Sequence, residues 1–166
     1  MYYEDVFSEL NKSKVKYLVT GGVALNLHGI PRMTADLDLM VDLKKDNLVK
    51  LVKALDKLGF KPRAPVKLTD FLSQEKRMFW LKNKHMVMFS LYRPKEPYQE
   101  VDIFNMNPVI FEKAYEERKL VLAENIKIPL ISINHLIQLK RKSKRKQDLA
   151  DVESLKTLKK IIRKSK

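Results

Sequence analysis

The sequence contains no cysteine. That excludes thiol catalysis, disulfides and cysteine-based zinc sites. No apolar run approaches the roughly 20 residues that a membrane span needs, so no membrane partner is expected. The opening residues, Met1-Tyr2-Tyr3-Glu4-Asp5, have neither the basic start nor the apolar core of a signal peptide, and a cytoplasmic location is the expectation. Histidine is scarce. His28, His85 and His135 are too scattered for a histidine metal site; packing at a helix end suits His28 better than catalysis, His85 belongs to an exposed turn, and His135 suits a structural role. Internal repeats and low-complexity linkers are absent too. A chain of 166 residues is enough for one domain with a real core but hardly two. The expected organisation is a single domain over 1–166, with an α/β core over 1–130 and basic helices over 131–166.

Acidic residues are also in short supply: 34 Lys and Arg face 20 Asp and Glu, for a net charge of +14. The excess is uneven. Residues 140–166 hold twelve Lys or Arg against three acids, which is about two-thirds of the net charge. The densest run is Lys140-Arg141-Lys142-Ser143-Lys144-Arg145-Lys146. Such a cluster can hold RNA or another polyanion electrostatically.

The chain does have a glycine turn followed by paired carboxylates. Residues 15–20, Val15-Lys16-Tyr17-Leu18-Val19-Thr20, read as a short buried strand. Gly21 and Gly22 break it, and residues 23–27 read as a short helix stopped near Gly29 and Pro31. Glycine permits a positive φ and lets main chain approach a ligand with no Cβ in the way. The free N–H groups of a first helical turn favour a phosphate. Then Leu37, Leu39 and Val41 alternate with Asp36, Asp38, Met40 and Asp42, which predicts a strand. Residues two apart in a strand share a face, so Asp36 and Asp38 project together, about 7 Å apart at the backbone. Carboxylates this close repel, which raises a pKa. A divalent cation relieves the repulsion, and an all-oxygen ligand set suits Mg²⁺ or Mn²⁺.

An apolar strand, Gly-Gly, a short gap and Asp-apolar-Asp-apolar together resemble the nucleotidyltransferase superfamily with the polymerase-β-type fold. The gap segment His28-Gly29-Ile30-Pro31-Arg32-Met33-Thr34 is similar to the His-Gly-x-x-Arg-x-Thr run of small stand-alone members. These include relatives of aminoglycoside nucleotidyltransferases and of abortive-infection nucleotidyltransferase toxins. The resemblance covers residues 15–42 strongly and the rest weakly. It implies an α/β (α+β) fold, a nucleotidyltransferase-like mixed β-sheet flanked by helices, with helices at the C-terminus.

The resemblance also implies a third carboxylate on a later strand. Glu100-Val101-Asp102-Ile103-Phe104 offers Asp102, whose apolar neighbours match the family pattern. Glu100, two residues away on the same face, is the competing choice. The implied chemistry is metal-dependent transfer of a nucleoside monophosphate from a nucleoside triphosphate to a hydroxyl, with release of pyrophosphate. Asp36, Asp38 and Asp102 would be the catalytic, metal-holding residues. The amides of Gly21 and Gly22, with the Thr20 hydroxyl, would hold the terminal phosphates, and Arg32 would add a charge-assisted contact. Small relatives carry a Lys, then an Arg and an Asp, on C-terminal helices; Lys140, Arg145, Asp148 and Asp151 resemble that set. Lys140 would then reach the nucleotide phosphates, while Asp148 and Asp151 orient basic side chains. The acceptor is open between RNA (tRNA above all, given the basic C-terminus), a protein and a small molecule. An aminoglycoside acceptor fits poorly, because a cationic antibiotic needs an acidic pocket. The alternative reading is a non-catalytic nucleotide- or RNA-binding module, or a toxin–antitoxin component with a partner protein. The intact Asp36, Asp38 and Asp102 argue against a dead enzyme.

Elsewhere the periodicity predicts helices over 3–10, 46–58, 108–116 and 147–162, one that starts at Ser132 or Asn134 and runs through Lys142, and a short helix over 69–72. Strands are expected over 77–81, 86–92, 118–122 and 126–130. Trp80, Phe79 and Phe89 are expected in the core and not stacked on a base.

Overall fold

The computed structural model describes residues 2–143 and 145–164. Lys144, part of the basic run, lies outside the described residues. The first element is helix α1 (Glu4–Lys12). Strand β1 (Tyr17–Val19) leads into helix α2 (Gly21–His28), and β2 (Asp36–Val41) leads into α3 (Lys45–Lys57). A two-residue strand β3 (Lys61–Pro62), a 3-10 turn (Leu68–Leu72) and helix α4 (Gln74–Lys84) precede the hairpin of β4 (Met88–Arg93) and β5 (Glu96–Phe104). Helix α5 (Phe111–Glu116) leads to a second hairpin, β6 (Lys119–Ala123) and β7 (Ile126–Leu130). Helices α6 (Ile133–Ser143) and α7 (Lys146–Lys164) close the chain. The strands form one mixed sheet in the order β3-β4-β5-β2-β1-β7-β6. The expected α/β class with flanking and C-terminal helices is what the molecule adopts.

Each element follows from local chemistry. In α1, Val6, Phe7 and Leu10 form the buried stripe, while Glu4 and Asp5 sit at the positive end of the dipole and Lys12 at the negative end. In α3 the stripe is Leu48, Leu51, Val52 and Leu55. The β6–β7 hairpin turns on Glu124 and Asn125, both at positive φ (49° and 67°), as a two-residue turn that continues the strand twist requires.

Residues 77–81 correct the sequence reading: they are helical, within α4. Four consecutive apolar residues, Met78-Phe79-Trp80-Leu81, are too few to overrule the helix signals around them. The Ser73 hydroxyl caps the helix by accepting from the Lys76 N–H at 3.2 Å. Glu75 occupies the first turn and Lys82 and Lys84 the last. Trp80 nevertheless reaches the core, stacked on Phe89 with ring centroids 5.3 Å apart, while Phe79 is 52% exposed.

One contiguous cluster of buried apolar side chains runs from Tyr3 to Leu155 and includes Leu136 and Leu139 of α6. Among the described residues, no helix is long and apolar enough to cross a membrane.

Candidate active site

The parallel pairing of β2 with β5 sets Asp36 opposite Glu100 and Asp38 opposite Asp102. The alternation dictates this. Leu37, Leu39, Val101 and Ile103 are almost fully buried, so the carboxylates share the other face. Two neighbouring strands thus bring together the three acids that the sequence singled out. Burial pushes the Asp38 carboxyl up to about 6, and the nearby Asp102 and Asp36 carboxylates add to the rise; Lys140 and the Gly22 N–H oppose it. Asp102 is also raised by burial, with a hydrogen bond from Ser90 working against the rise, Asp36 adding to it and Arg63 opposing it. Asp102 Oδ1 is buried with no hydrogen-bond partner. Glu100, the competing candidate, pairs with Arg63. The structure therefore separates the two: Glu100 is neutralised by a cation, and Asp102 keeps an oxygen available.

The glycine turn packs directly on this centre. Gly21 has φ +62°, and a Cβ built on it would lie 1.7 Å from Asp38 Oδ2. A Cβ on Gly22 would lie 2.6 Å from the Thr34 side chain. Only glycine fits either position. Two expected phosphate contacts are engaged otherwise. The Gly22 N–H donates to the Asp38 carboxylate. Thr20 is fully buried, and its hydroxyl and N–H both donate to the Asp38 main-chain carbonyl, at 3.1 and 2.9 Å. Thr20 therefore fastens the end of β1 to β2 and does not present its hydroxyl to a ligand.

Arg32 and Lys140 converge on the acids of α7. Lys140 is only 8% exposed, and its ammonium donates to Asp148 Oδ1 at 2.7 Å and Asp151 Oδ2 at 2.8 Å. The other Asp151 oxygen lies 3.4 Å from Arg32 Nε. Asp148 also accepts from Arg145 Nε at 2.7 Å and from the Ser143 hydroxyl. Burial alone would raise the Asp148 carboxyl, but the hydrogen bonds from Lys140, Ser143 and Arg145 outweigh it and hold the group at about 2. The alternating charges link the 28–34 segment to both C-terminal helices. Asp148 and Asp151 orient basic side chains, as the sequence suggested.

His28 closes the C-terminal end of α2, its Nε2 lying 2.8 Å from the Ile131 carbonyl; burial lowers its pKa. His135 contacts the Ser132 hydroxyl at 3.0 Å. Both are structural. His85 is the exposed, left-handed cap of α4.

Sequence reasoning missed two neighbours of the carboxylates. Tyr3 is 4% exposed, and its hydroxyl contacts the carbonyls of Ala35 and, at 2.9 Å, Glu100. It thereby bridges the starts of β2 and the paired part of β5. Burial raises its pKa, with Tyr2 and then Asp36, Asp102 and Asp38 adding to the effect. Arg63 lies over the Tyr92 ring at 4.8 Å and pairs with Glu100. A tyrosine two residues from the start and an arginine beside a two-residue strand carry no periodic signal.

The donor set fits a hard divalent cation. Repelling carboxylates and an orphaned buried oxygen are what Mg²⁺ or Mn²⁺ would satisfy. Among the described residues no group of three or more acids, histidines or cysteines is arranged as a ready cation cage.

Comparison with known proteins gives consistent results. Residues 3–162 match the family model described as a nucleotidyltransferase of unknown function, DUF6036. No curated protein matches the sequence. Among solved structures, the lincosamide antibiotic adenylyltransferase LnuA, lincomycin-bound, aligns with a TM-score of 0.62 at 17% identity, over 95% of this chain and 96% of that one. A candidate nucleotidyltransferase from Thermotoga maritima aligns at 0.55 and 18% identity, over 96% and 89% of the two chains. The enzyme ANT(2")-Ia, in complex with adenylyl-2"-tobramycin, aligns at 0.58 and 10% identity, over 97% and 94%. At these identities the likeness is one of fold.

Proposed function

Since the chain belongs to the DUF6036 nucleotidyltransferase family, we propose that it transfers a nucleoside monophosphate from a nucleoside triphosphate to a hydroxyl acceptor, in a metal-dependent reaction that releases pyrophosphate. The observation that carries this reading is the register of β2 on β5, which sets Asp38 opposite Asp102 with Gly21 packed against the Asp38 carboxylate.

Asp36, Asp38 and Asp102 would hold the Mg²⁺ or Mn²⁺. When bound, the metal supplies charge neutralisation on the transferring phosphoryl group. The rest is positioning, which provides most of the rate in phosphoryl transfer. The Gly21-Gly22 turn carries no side chain, so the triphosphate can lie against main chain next to Asp38. Arg32, paired with Asp151, and Lys140, paired with Asp148 and Asp151, would supply positive charge beside the phosphates. Asp102, whose Oδ1 has no hydrogen-bond partner, would complete the metal site next to the acceptor hydroxyl, whose proton passes to water. The acceptor oxygen bonds to the α-phosphorus, the bond from that phosphorus to the bridging oxygen breaks, and pyrophosphate leaves. Residues 1–166 act as one unit in this scheme, since Lys140 on the C-terminal helices serves a site built on β2 and β5.

The acceptor is not carried over from the structural neighbours. LnuA and ANT(2")-Ia act on antibiotics, but a net charge of +14 disfavours a cationic antibiotic here. The exposed basic residues of α6 and α7 favour RNA, including tRNA, over a protein or small molecule.

The test incubates the protein with each α-labelled nucleoside triphosphate, Mg²⁺ or Mn²⁺, and an extract of RNA and protein, with Asp38→Asn in parallel. Label moving to one acceptor with the wild type alone is the expected result. Absence of both transfer and nucleotide binding would sink the proposal.

A further inference from the structure

We propose that the outward face of α6, together with α5 and α7, forms a groove that docks structured RNA through its phosphate backbone. Two clefts flank α6. One, of about 470 Å³, has Asn134, Arg141, Lys156 and Lys159 in its walls. The other, of about 590 Å³, has Val109, Ile110, Lys113 and Lys142. His135 and Gln138 line both, so the clefts adjoin across α6. Five cations line them, and Glu117 is the one acid among their described lining residues.

The groove's chemistry selects a phosphate ribbon, and Asn134, His135 and Gln138 beside its cations are partners for the 2′-hydroxyl that sets RNA apart from DNA. Its described lining residues include no Phe, Tyr or Trp, so it has no platform for stacking bases. Lysine and arginine spaced along a trough suit a phosphate ribbon and give affinity without reading sequence. Its floor is firm: His135 is 8% exposed and fixed by Ser132 at 3.0 Å, and Lys159 Nζ donates to Asn134 at 2.6 Å.

The groove and the carboxylate site use opposite sides of one helix. Lys140 points inward to Asp148 and Asp151, and the next residue, Arg141, lines the outer cleft. A helix with its side chains is about 10–12 Å across, so an RNA lying over α6 can bring a terminal hydroxyl round to the site. The inference deepens the proposed reaction by placing its RNA acceptor on a defined surface, and it rests on that reading only for the transfer step.

The test is fluorescence anisotropy of a labelled 20-nucleotide RNA hairpin with the full chain and no nucleotide. The variant Arg141→Glu/Lys156→Glu/Lys159→Glu is compared with Lys45→Glu/Lys50→Glu/Lys53→Glu on α3, which makes the same change in net charge. Circular dichroism verifies that both fold. The groove variant is expected to lose on the order of tenfold or more in affinity and roughly 2 units of salt slope, with the α3 variant much closer to wild type. Equal loss in both variants would show attraction to net charge alone and overturn the groove. Equal binding of a DNA hairpin, or equal competition by polyglutamate, would overturn the assignment to RNA. Asp38→Asn is expected to bind the hairpin like wild type; loss there would place the RNA on the carboxylates instead. RNA binding without nucleotidyl transfer would count against the reaction and leave the groove standing. Transfer without groove-dependent binding would do the reverse.

Discussion

Gly21 carries two requirements at once. Its φ of +62° is unfavourable for any side chain, and its missing Cβ is the space that the Asp38 carboxylate occupies. Gly59, at φ +80° with nothing within reach of a built Cβ, carries the first requirement alone. Gly59→Ala should therefore cost about 1 kcal/mol for the left-handed backbone. Gly21→Ala should cost more in denaturant unfolding, and should lower nucleotidyl transfer by on the order of a hundredfold, since a 1 Å misplacement near the chemistry has that effect. Asp38 offers a second test. Its carboxyl is raised from the ordinary 3.8 to about 6, so the folded protein holds the proton more tightly than the unfolded chain. Stability is then full below about pH 4 and is lost as pH rises through about 6, by at most on the order of 3 kcal/mol. Asp38→Asn removes that loss. In EDTA the variant and the wild type should unfold alike at pH 4, and the variant should be more stable at pH 7.5, while its transfer activity is abolished. A variant no more stable at pH 7.5 would show that neither burial nor the neighbouring carboxylates penalise the charge on Asp38.

At the scale of elements, the link between α6 and α7 is electrostatic as well as apolar. Lys140, Asp148 and Asp151 are nearly inaccessible, and removing one partner of a buried pair leaves an uncompensated charge. Lys140→Met should destabilise by roughly 3–5 kcal/mol, read as a drop in the denaturant midpoint. Asp148 gives the opposite pH signature to Asp38. Held at about 2, it contributes stability that is present above about pH 4 and lost as pH falls through about 2, about 2 kcal/mol in all. The wild type should lose that increment on acidification, and Asp148→Asn should lack it. These contacts also show what was legible. Alternation of period two made β2 readable and placed Asp36 and Asp38 on one face, and apolar-Asp-apolar located Asp102. The lysine and acids of α6 and α7 were readable as a set only through the resemblance to small nucleotidyltransferases, which carry a Lys, then an Arg and an Asp, on C-terminal helices. Residues 77–81 were misread because a short aromatic run carries strand propensity, and only the flanking cap at Ser73 decides for helix. Tyr3 and Arg63 were invisible because their partners are distant: Tyr3 meets the Glu100 carbonyl across 97 positions, a contact that only the sheet order creates.

For the whole molecule, the distribution of the core decides how the C-terminal helices relate to the rest. The sequence suggested a single domain over 1–166, with a catalytic core over 1–130 and basic helices over 131–166. Ile131, Leu136, Leu139 and Leu155 belong to the same buried cluster as Leu18, Leu37 and Val101. His28 at the end of α2 reaches the Ile131 carbonyl, and Arg32 pairs with Asp151. A chain ending at Leu130 would expose the apolar surface that these helices cover, at about 25 cal/mol for each Å², and would leave Arg32 without Asp151. The net stability of a domain is only about 5–15 kcal/mol, so such a loss is not tolerated. The fragment 1–130 is therefore expected to lack a cooperative unfolding transition and to bind a hydrophobic dye, with no recovery of activity when residues 131–166 are absent. A fragment that unfolds cooperatively would show instead that the basic helices are an appendage, with Lys140 outside the folding unit that carries Asp36, Asp38 and Asp102.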